Sequence, residues 1–320
     1  MSSDIQSRLA HMPVALFATV MGLAGLTLAW RKATEALGVS NIVWQVLLVV
    51  TAVTLASLAI SYLLKMRRHP QEVMAEFMHP IKISFFPAFS IGLMLIAVAI
   101  TDSMTQLATF IWGLGALIQI TLTLYLMNQW INHSRWQVQH TTPAWFIPIV
   151  GNIIAPIAGV ELGFTEVSWF FFSVGIFYWV ILKALVFNRI IFHDAIPERL
   201  QPTLFIMIAP PAVGFVAYVK LNGGIDNFAH ILYYSALFLI LLMIVQLPRF
   251  RKLPFFVSWW AYSFPLAAFT IGTEIMLMHS NSLFFHTLSL FSLTVLSLLL
   301  ALLVFKTIRG LISGALLQPE

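Results

Sequence analysis

Cysteine is absent from this 320-residue sequence, which excludes disulfide bridges and cysteine-ligated metals. Charged residues are also scarce, at 9% against about 25% in soluble domains, so they are too few to cover a water-facing surface. Instead, 60% of the residues are hydrophobic and the mean hydropathy is +0.92. This composition predicts an all-α integral membrane protein.

Motifs of enzymes and pumps are missing as well. The nine histidines form neither an HxxxH nor an HxxHH pattern, and no glycine-rich phosphate loop or nucleophile motif occurs. We therefore expect no metal and no other cofactor, and we expect the protein not to be an enzyme. The formal net charge of +5 is explained by membrane topology, so we expect no nucleic-acid partner.

Ten apolar runs, each close to the roughly 20 residues that a transmembrane helix needs, follow one another along the chain. They cover residues 13–30, 42–64, 83–100, 107–127, 143–160, 167–187, 203–219, 228–247, 255–278 and 283–305. We predict a short cytoplasmic amino terminus (1–12), a ten-helix transmembrane channel domain (13–308) and a cytoplasmic carboxy-terminal tail (309–320).

Lysine and arginine are unevenly distributed between the two sides that ten spans create. Of the 17, all but three fall on the side of the amino terminus. The three exceptions are Arg31, Lys32 and Lys220. The positive-inside rule therefore predicts a multi-pass protein of the inner (plasma) membrane with both termini in the cytoplasm.

Prolines well inside the apolar runs occur only in runs three, five, seven and nine. They are Pro87, Pro148, Pro156, Pro210, Pro211 and Pro265. A proline removes a backbone hydrogen bond and bends a helix, so these runs belong where freed backbone groups find water or protein partners. We predict five hairpins, with proline-kinked odd helices inside, around a cavity, and even helices outside, facing membrane lipid. Small residues such as Gly22 on the odd runs let helices approach closely.

In the ninth run, Phe264 is followed at once by Pro265. Residues on the adjacent turns, Ala261 and Ala268, are small, so a single ring projects from a thin helix face. A plug in a narrow passage would have this form. Ordinary packing explains the same pattern, and the residues alone leave both interpretations open.

Five stretches, in this order, resemble the tellurite-resistance and dicarboxylate transporter family, which includes TehA-like proteins and the plant slow-type anion channels. They are GLAGLTLAW (22–30), EFMHPIK (76–82), TPAWFIPIVGN (142–152), IAPPAVGFVAY (208–218) and WWAYSFP (259–265). The resemblance implies five hairpins around a pseudo-five-fold central pore and a homotrimer with one pore in each subunit. It also implies that Phe264 closes the pore as a gate.

We expect a passive channel for small monovalent anions such as nitrate and chloride. No lysine or arginine lies in the middle of an odd run, so selection depends on weak dipoles, hydroxyl groups and backbone N–H groups near the kinks. Cations at the inner mouth would enrich anions locally, although fixing the topology alone would account for them. The candidate inner-mouth cations are Lys65, Arg67, Arg68, Lys82, Arg251 and Lys252.

The alternative is a secondary carrier, with or without proton coupling, for C4-dicarboxylates such as malate or for oxyanions such as tellurite. Glu274 is its candidate coupling acid, because an ionisable residue inside a span is a functional candidate by default. It lies about 15 Å beyond Phe264 along an ideal helix and about 80° around it. We therefore expect Glu274 to reach water near the outer end of its helix.

Overall fold

The computed structural model describes residues 8–318, which form helices and turns and contain no strand. The α-helices are α1 (Phe17–Leu37), α2 (Ile42–Arg68), α3 (Pro70–Met78), α4 (Pro87–Ile100), α5 (Thr105–Asn132), α6 (Phe146–Val150), α7 (Ala155–Gly159), α8 (Thr165–Phe192), α9 (Ala209–Asn222), α10 (Asn227–Val245), α11 (Leu247–Phe250), α12 (Ser263–Ser280) and α13 (Leu283–Ile312). The last helix continues past the predicted domain boundary at residue 308.

Within residues 8–318, nine helical runs are long and apolar enough to cross a membrane, against the ten that the sequence predicts. The difference lies in the fifth run, Pro143–Gly159, which is shorter and broken. It consists of a 3₁₀ turn (Pro143–Trp145), α6, a second 3₁₀ turn (Gly151–Ile154) and α7. Pro148, Gly151 and Pro156 in the interior of this run explain the breaks, because each weakens the α-helical hydrogen-bond ladder.

The odd runs share one construction, a 3₁₀ segment followed by an α-helix. The 3₁₀ segments are Val14–Leu16, Lys82–Phe85, Pro143–Trp145, Glu198–Ile208 and Val257–Tyr262. Pro87, Pro156 and Pro210 each lie at the first or second position of an α-helix, and Pro265 lies in the first turn of α12. Proline suits that place because a first-turn N–H has no partner within the helix. These prolines thus lie where a 3₁₀ segment changes to an α-helix, and the prediction that they kink the helices stays a prediction.

Burial separates the runs into two groups. Four proline-marked or amino-terminal runs are 72–83% buried over their most apolar window, whereas the other five are 17–33% buried. The poorly buried helices expose large apolar side chains such as Phe110, Phe238 and Leu298. An apolar exterior of this extent suits acyl chains and not water, which agrees with a multi-pass membrane protein.

Contacts between the buried runs form a closed cycle. Helix α1 packs against α4 and α12, α9 packs against α12, and the broken run with α6 and α7 joins α4 to α9. Each exposed helix packs on the buried run that precedes it, in the pairs α1 with α2, α4 with α5, α7 with α8, α9 with α10, and α12 with α13. The chain therefore folds as successive hairpins.

Side chains of α5 satisfy backbone groups that the broken run leaves free. Gln119 Nε2 and Thr123 Oγ1 both donate to the carbonyl oxygen of Pro148, at 2.9 and 2.7 Å. Trp112 Nε1 donates to the carbonyl oxygen of Ala155 at 2.8 Å. A carbonyl without a hydrogen-bond partner at membrane depth destabilises the fold by about several kcal/mol, as does an amide transferred from water into hydrocarbon. An exposed helix thus makes the break in its buried neighbour tolerable.

We expect Thr123→Val to destabilise the protein by about 1–3 kcal/mol, the cost of leaving buried polar groups without partners. The hydroxyl of Thr123 also accepts a hydrogen bond from Asn152 Nδ2 at 2.8 Å. Thermal unfolding in detergent measures the loss. Thr121→Val is the matched control, because Thr121 is exposed and its hydroxyl donates to the Leu117 carbonyl of its own helix, its one hydrogen bond within residues 8–318. Equal melting temperatures for the two variants would contradict the prediction.

Candidate functional site

Two cavities lie inside the cycle of buried runs. The first, called here the apolar cavity, has a volume of about 50 Å³. It is lined by Ala15, Ala18, Met21, Phe85, Ile91, Phe146, Ile147, Val150, Gly151, Ile154, Ile206, Ala209, Val213, Val257, Ser258, Trp260, Ala261, Phe264 and Pro265. Since the 3₁₀ segments contribute to its wall, this cavity lies toward the side where the odd runs begin.

The second cavity, called here the charged cavity, has a volume of about 160 Å³. It is lined by Gly25, Leu28, Arg31, Lys32, Glu35, Leu95, Val98, Asp102, Ile157, Glu161, Val213, Val216, Lys220, Phe264, Ala268, Ile271 and Ile275. Its charged residues lie near the ends of α1, α4, α7 and α9. The charged cavity therefore opens on the opposite side of the molecule.

Phe264 borders both cavities, and so does Val213 of α9. The phenylalanine is the larger of the two, and it is 8% exposed. Small residues surround it: Ala261 lines the apolar cavity and Ala268 lines the charged cavity. A Cβ added to Gly25 of α1 would lie 3.4 Å from Cδ2 of Phe264. The ring thus lies in the wall between the two cavities.

The other candidate pore-lining residues lie elsewhere. Pro87, Pro148, Pro156 and Pro210 are buried and line neither cavity. Gly22 packs against the start of α12, where an added Cβ would lie 2.3 Å from the hydroxyl oxygen of Ser263. These positions shape the helices and their close approach, whereas Pro265 and the two alanines reach the cavities.

Lys65 differs most from its predicted place at an inner mouth. It is 1% exposed, and its Nζ donates to Glu76 Oε2 at 2.9 Å and to the Met12 carbonyl at 2.8 Å. Tyr62 donates to the same carboxylate oxygen at 2.7 Å, and the Val14 N–H donates to Oε1 at 3.2 Å. Because this ammonium is buried and paired, the prediction that Lys65 supplies a field at the mouth is wrong.

The remaining inner-mouth candidates line neither cavity beside Phe264. Arg67, Arg68, Arg251 and Lys252 are exposed. Lys82 lines a separate small cavity together with Lys65 and the acids of α3. Their part in attracting anions stays a prediction.

Sequence reasoning assigned the cations of the opposite side to topology alone and missed the charged cavity. Arg31, Lys32 and Lys220 all line it. Each has a carboxylate partner in the same wall, in the pairs Arg31 with Asp102, Lys32 with Glu35, and Lys220 with Glu161. The signal in the sequence was the position of these six residues at the corresponding ends of odd runs.

Glu274 does not reach water, so that prediction is wrong. Its side chain is fully buried, and neither carboxylate oxygen has a hydrogen-bond partner within the described residues. It lies on the same side of α12 as Ala267, the residue that meets Gly25 of α1, and outside the lining of the charged cavity.

This geometry defines a class of protein: a multi-pass helical membrane protein in which a cycle of buried helices encloses two cavities beside one aromatic ring. Comparison with known proteins is more specific. The chain matches the SLAC1 family, described as a voltage-dependent anion channel, over residues 11–308, and it belongs to that family. The resemblance that the sequence predicts is confirmed.

Relatives include plant and bacterial proteins. The S-type anion channel SLAH3 of Arabidopsis thaliana is 29% identical over 272 residues, which cover 83% of this chain and 43% of SLAH3. The guard cell S-type anion channel SLAC1 of the same plant is 24% identical over 275 residues, covering 83% of this chain and 50% of the relative. The tellurite resistance protein TehA homolog of Haemophilus influenzae is 24% identical over 305 residues, covering 95% and 92%. This chain spans about half the length of the plant relatives.

Proposed function

We propose that this protein is a passive channel for small monovalent anions, such as nitrate and chloride, in which Phe264 is the gate. Membership of an anion-channel family supports the class of substrate. The observation that carries the gate is the place of Phe264 in the wall between the apolar and charged cavities. A passage through both would run past this ring.

The proposed pore runs along the axis of the cycle formed by the buried runs. Its ten crossings are the nine long runs plus the broken run Pro143–Gly159, arranged as five hairpins with pseudo-five-fold symmetry. We further propose a homotrimer in lipid, with one pore in each subunit and both termini in the cytoplasm. The charged cavity then faces outward, because its side carries few cations.

Weak binding is the proposed basis of conduction. Apolar side chains and Ser258 line the apolar cavity, so nothing there holds an anion tightly. Fast passage requires binding loose enough to release. Anions that shed water cheaply should pass most readily, so we expect nitrate or iodide to conduct at least as well as chloride.

Voltage-clamp recordings of the protein in planar bilayers test this function. Under a chloride gradient, the current of a passive anion channel reverses at the chloride equilibrium potential. Replacing chloride by nitrate should shift the reversal potential toward preference for nitrate. Currents that follow the cation gradient would contradict the proposal.

A secondary carrier for C4-dicarboxylates or tellurite-type oxyanions is the second candidate, and the burial of Glu274 without a partner favours it. An ionisable residue inside a membrane span is a functional candidate by default, and an acid that takes up and releases a proton in each cycle would couple transport to the pH gradient. For a channel, we expect Glu274→Gln to leave anion currents unchanged, because Glu274 lines neither cavity. Paired recordings with Glu166→Gln, an exposed acid of α8, provide the control. Malate uptake that needs a pH gradient and disappears in Glu274→Gln would instead establish the carrier.

A further inference from the structure

We propose that the charged cavity is a binding vestibule for small monovalent anions, in which Arg31 supplies a fixed positive charge and nearby carboxylates limit how many anions collect. The inference deepens the proposed function and rests on it. Its starting point is that Arg31, Lys32 and Lys220 line one cavity although they come from α1 and α9. The positive-inside rule concerns only the side of the membrane on which cations lie, and it does not require them to line one cavity.

Arg31 is held in place on this wall. Its Nη1 donates to the carbonyl oxygens of Val98 and Ala99, at 2.6 and 3.1 Å, near the carboxy-terminal end of α4. Its Nη2 bonds to Asp102, and the guanidinium lies 5.6 Å from the ring centroid of Trp44. A cation at a helix carboxy terminus is stabilised by the helix dipole. The charge therefore stays beside the cavity.

The guanidinium keeps donors for a ligand. A guanidinium has five N–H groups, and within the described residues three hydrogen bonds occupy it. Its planar array of donors suits a halide and also a planar oxyanion such as nitrate. An anion in the charged cavity can thus bind Arg31 without breaking the bonds that hold it to α4.

The carboxylates lie closer to water than two of the cations they pair with. Asp102 is 73% exposed and Arg31 19%, while Glu35 is 49% exposed and Lys32 23%. An anion that enters from this side meets Asp102 and Glu35 before Arg31 and Lys32. In the third pair the order is reversed, because Lys220 is 40% exposed and Glu161 31%. The charges of Asp102 and Glu35 therefore act on an anion before it reaches Arg31.

The carboxylates affect anion binding because they cancel the positive charge of the cavity wall. Three cations and three carboxylates cancel, so the vestibule has little net field. Removing one carboxylate charge leaves a net positive charge, and at about 8 Å in water this raises the local concentration of a monovalent anion about two- to fivefold. Because such interactions are screened, the gain should vanish at about 1 M salt, where the Debye length is about 3 Å.

The first measurement uses Asp102→Asn in a Phe264→Ala background, where the proposed gate is open. We expect anion current entering from the side of the charged cavity to rise about two- to fivefold in low salt and to match the background in high salt. Glu166→Gln in the same background is the matched control, since it removes an acid that does not line the cavity. Absence of any anion current in Phe264→Ala itself would refute the proposed function and not the vestibule.

The second measurement needs no conduction. Iodide quenches tryptophan fluorescence on collision. The fluorescence of Trp44 is obtained by subtracting the spectrum of the Trp44→Phe variant from that of the same protein with Trp44. Because Trp44 lies beside Arg31, we expect its quenching constant to rise about two- to fivefold in Asp102→Asn at low salt and to fall in Arg31→Gln. Quenching in Asp102→Asn equal to that in Glu166→Gln would overturn the proposal.

Discussion

Replacing Phe264 with alanine is expected to raise anion conductance about 10- to 100-fold. Moving a buried aromatic ring aside to expose it costs about 1.5–3 kcal/mol, and each 1.4 kcal/mol is about a factor of ten in population. If Phe264 is the gate, the native protein conducts for a small fraction of the time, whereas the alanine variant conducts throughout. Currents from equal amounts of protein in planar bilayers measure the ratio.

Two controls separate gating from packing. Phe264→Leu keeps an apolar side chain in the passage and should give an intermediate current. Phe291→Ala removes an equal ring from α13 that is 63% exposed on the outer surface, and it should leave the current unchanged. If Phe264→Ala conducts no better than Phe291→Ala, Phe264 is not the gate.

Phe264 could be singled out from the sequence because its signals are local, and its role as the gate stays a prediction. Pro265 interrupts the helical hydrogen bonds, and the alanines near Phe264 leave its ring as the one large side chain on that face of the helix. Prolines likewise identified the buried runs, since only protein surroundings satisfy freed backbone groups at membrane depth. The 3₁₀ segments before those prolines were not predictable. In the fifth run the free Pro148 carbonyl is bonded by Gln119 and Thr123, which lie on another helix.

Charges were harder to interpret, because their meaning depends on contacts distant in sequence. Arg31 and Lys220 are far apart in the chain and meet one cavity only because α1 and α9 belong to the same cycle of helices. Lys65, next to exposed arginines at the end of α2, looked like one more surface cation. Its partner Glu76 comes from α3, a short helix whose return toward α2 no periodicity in the sequence predicts. Glu274 was expected to reach water near the end of its helix, and its side chain is buried instead.

Replacing Glu76 with alanine is expected to destabilise the protein by about 3–5 kcal/mol, the cost of leaving a buried charge without its partner. Lys65 would keep only the carbonyl of Met12 as an acceptor among its present bonds. Tyr62 and the Val14 N–H would lose their acceptor as well. The melting temperature in detergent should fall far more than in Glu72→Ala, which removes an exposed acid from the preceding turn of α3.

The double variant Lys65→Met and Glu76→Met tests whether the cost comes from the unpaired charge. Replacing both members of a buried ion pair by apolar groups of similar size is often neutral or stabilising, so the melting temperature should recover most of the loss. A single Glu76→Ala variant as stable as Glu72→Ala would show that Lys65 finds water or another acceptor. The fixed attachment of the segment around Met12 to α2 and α3 would then not depend on this ion pair.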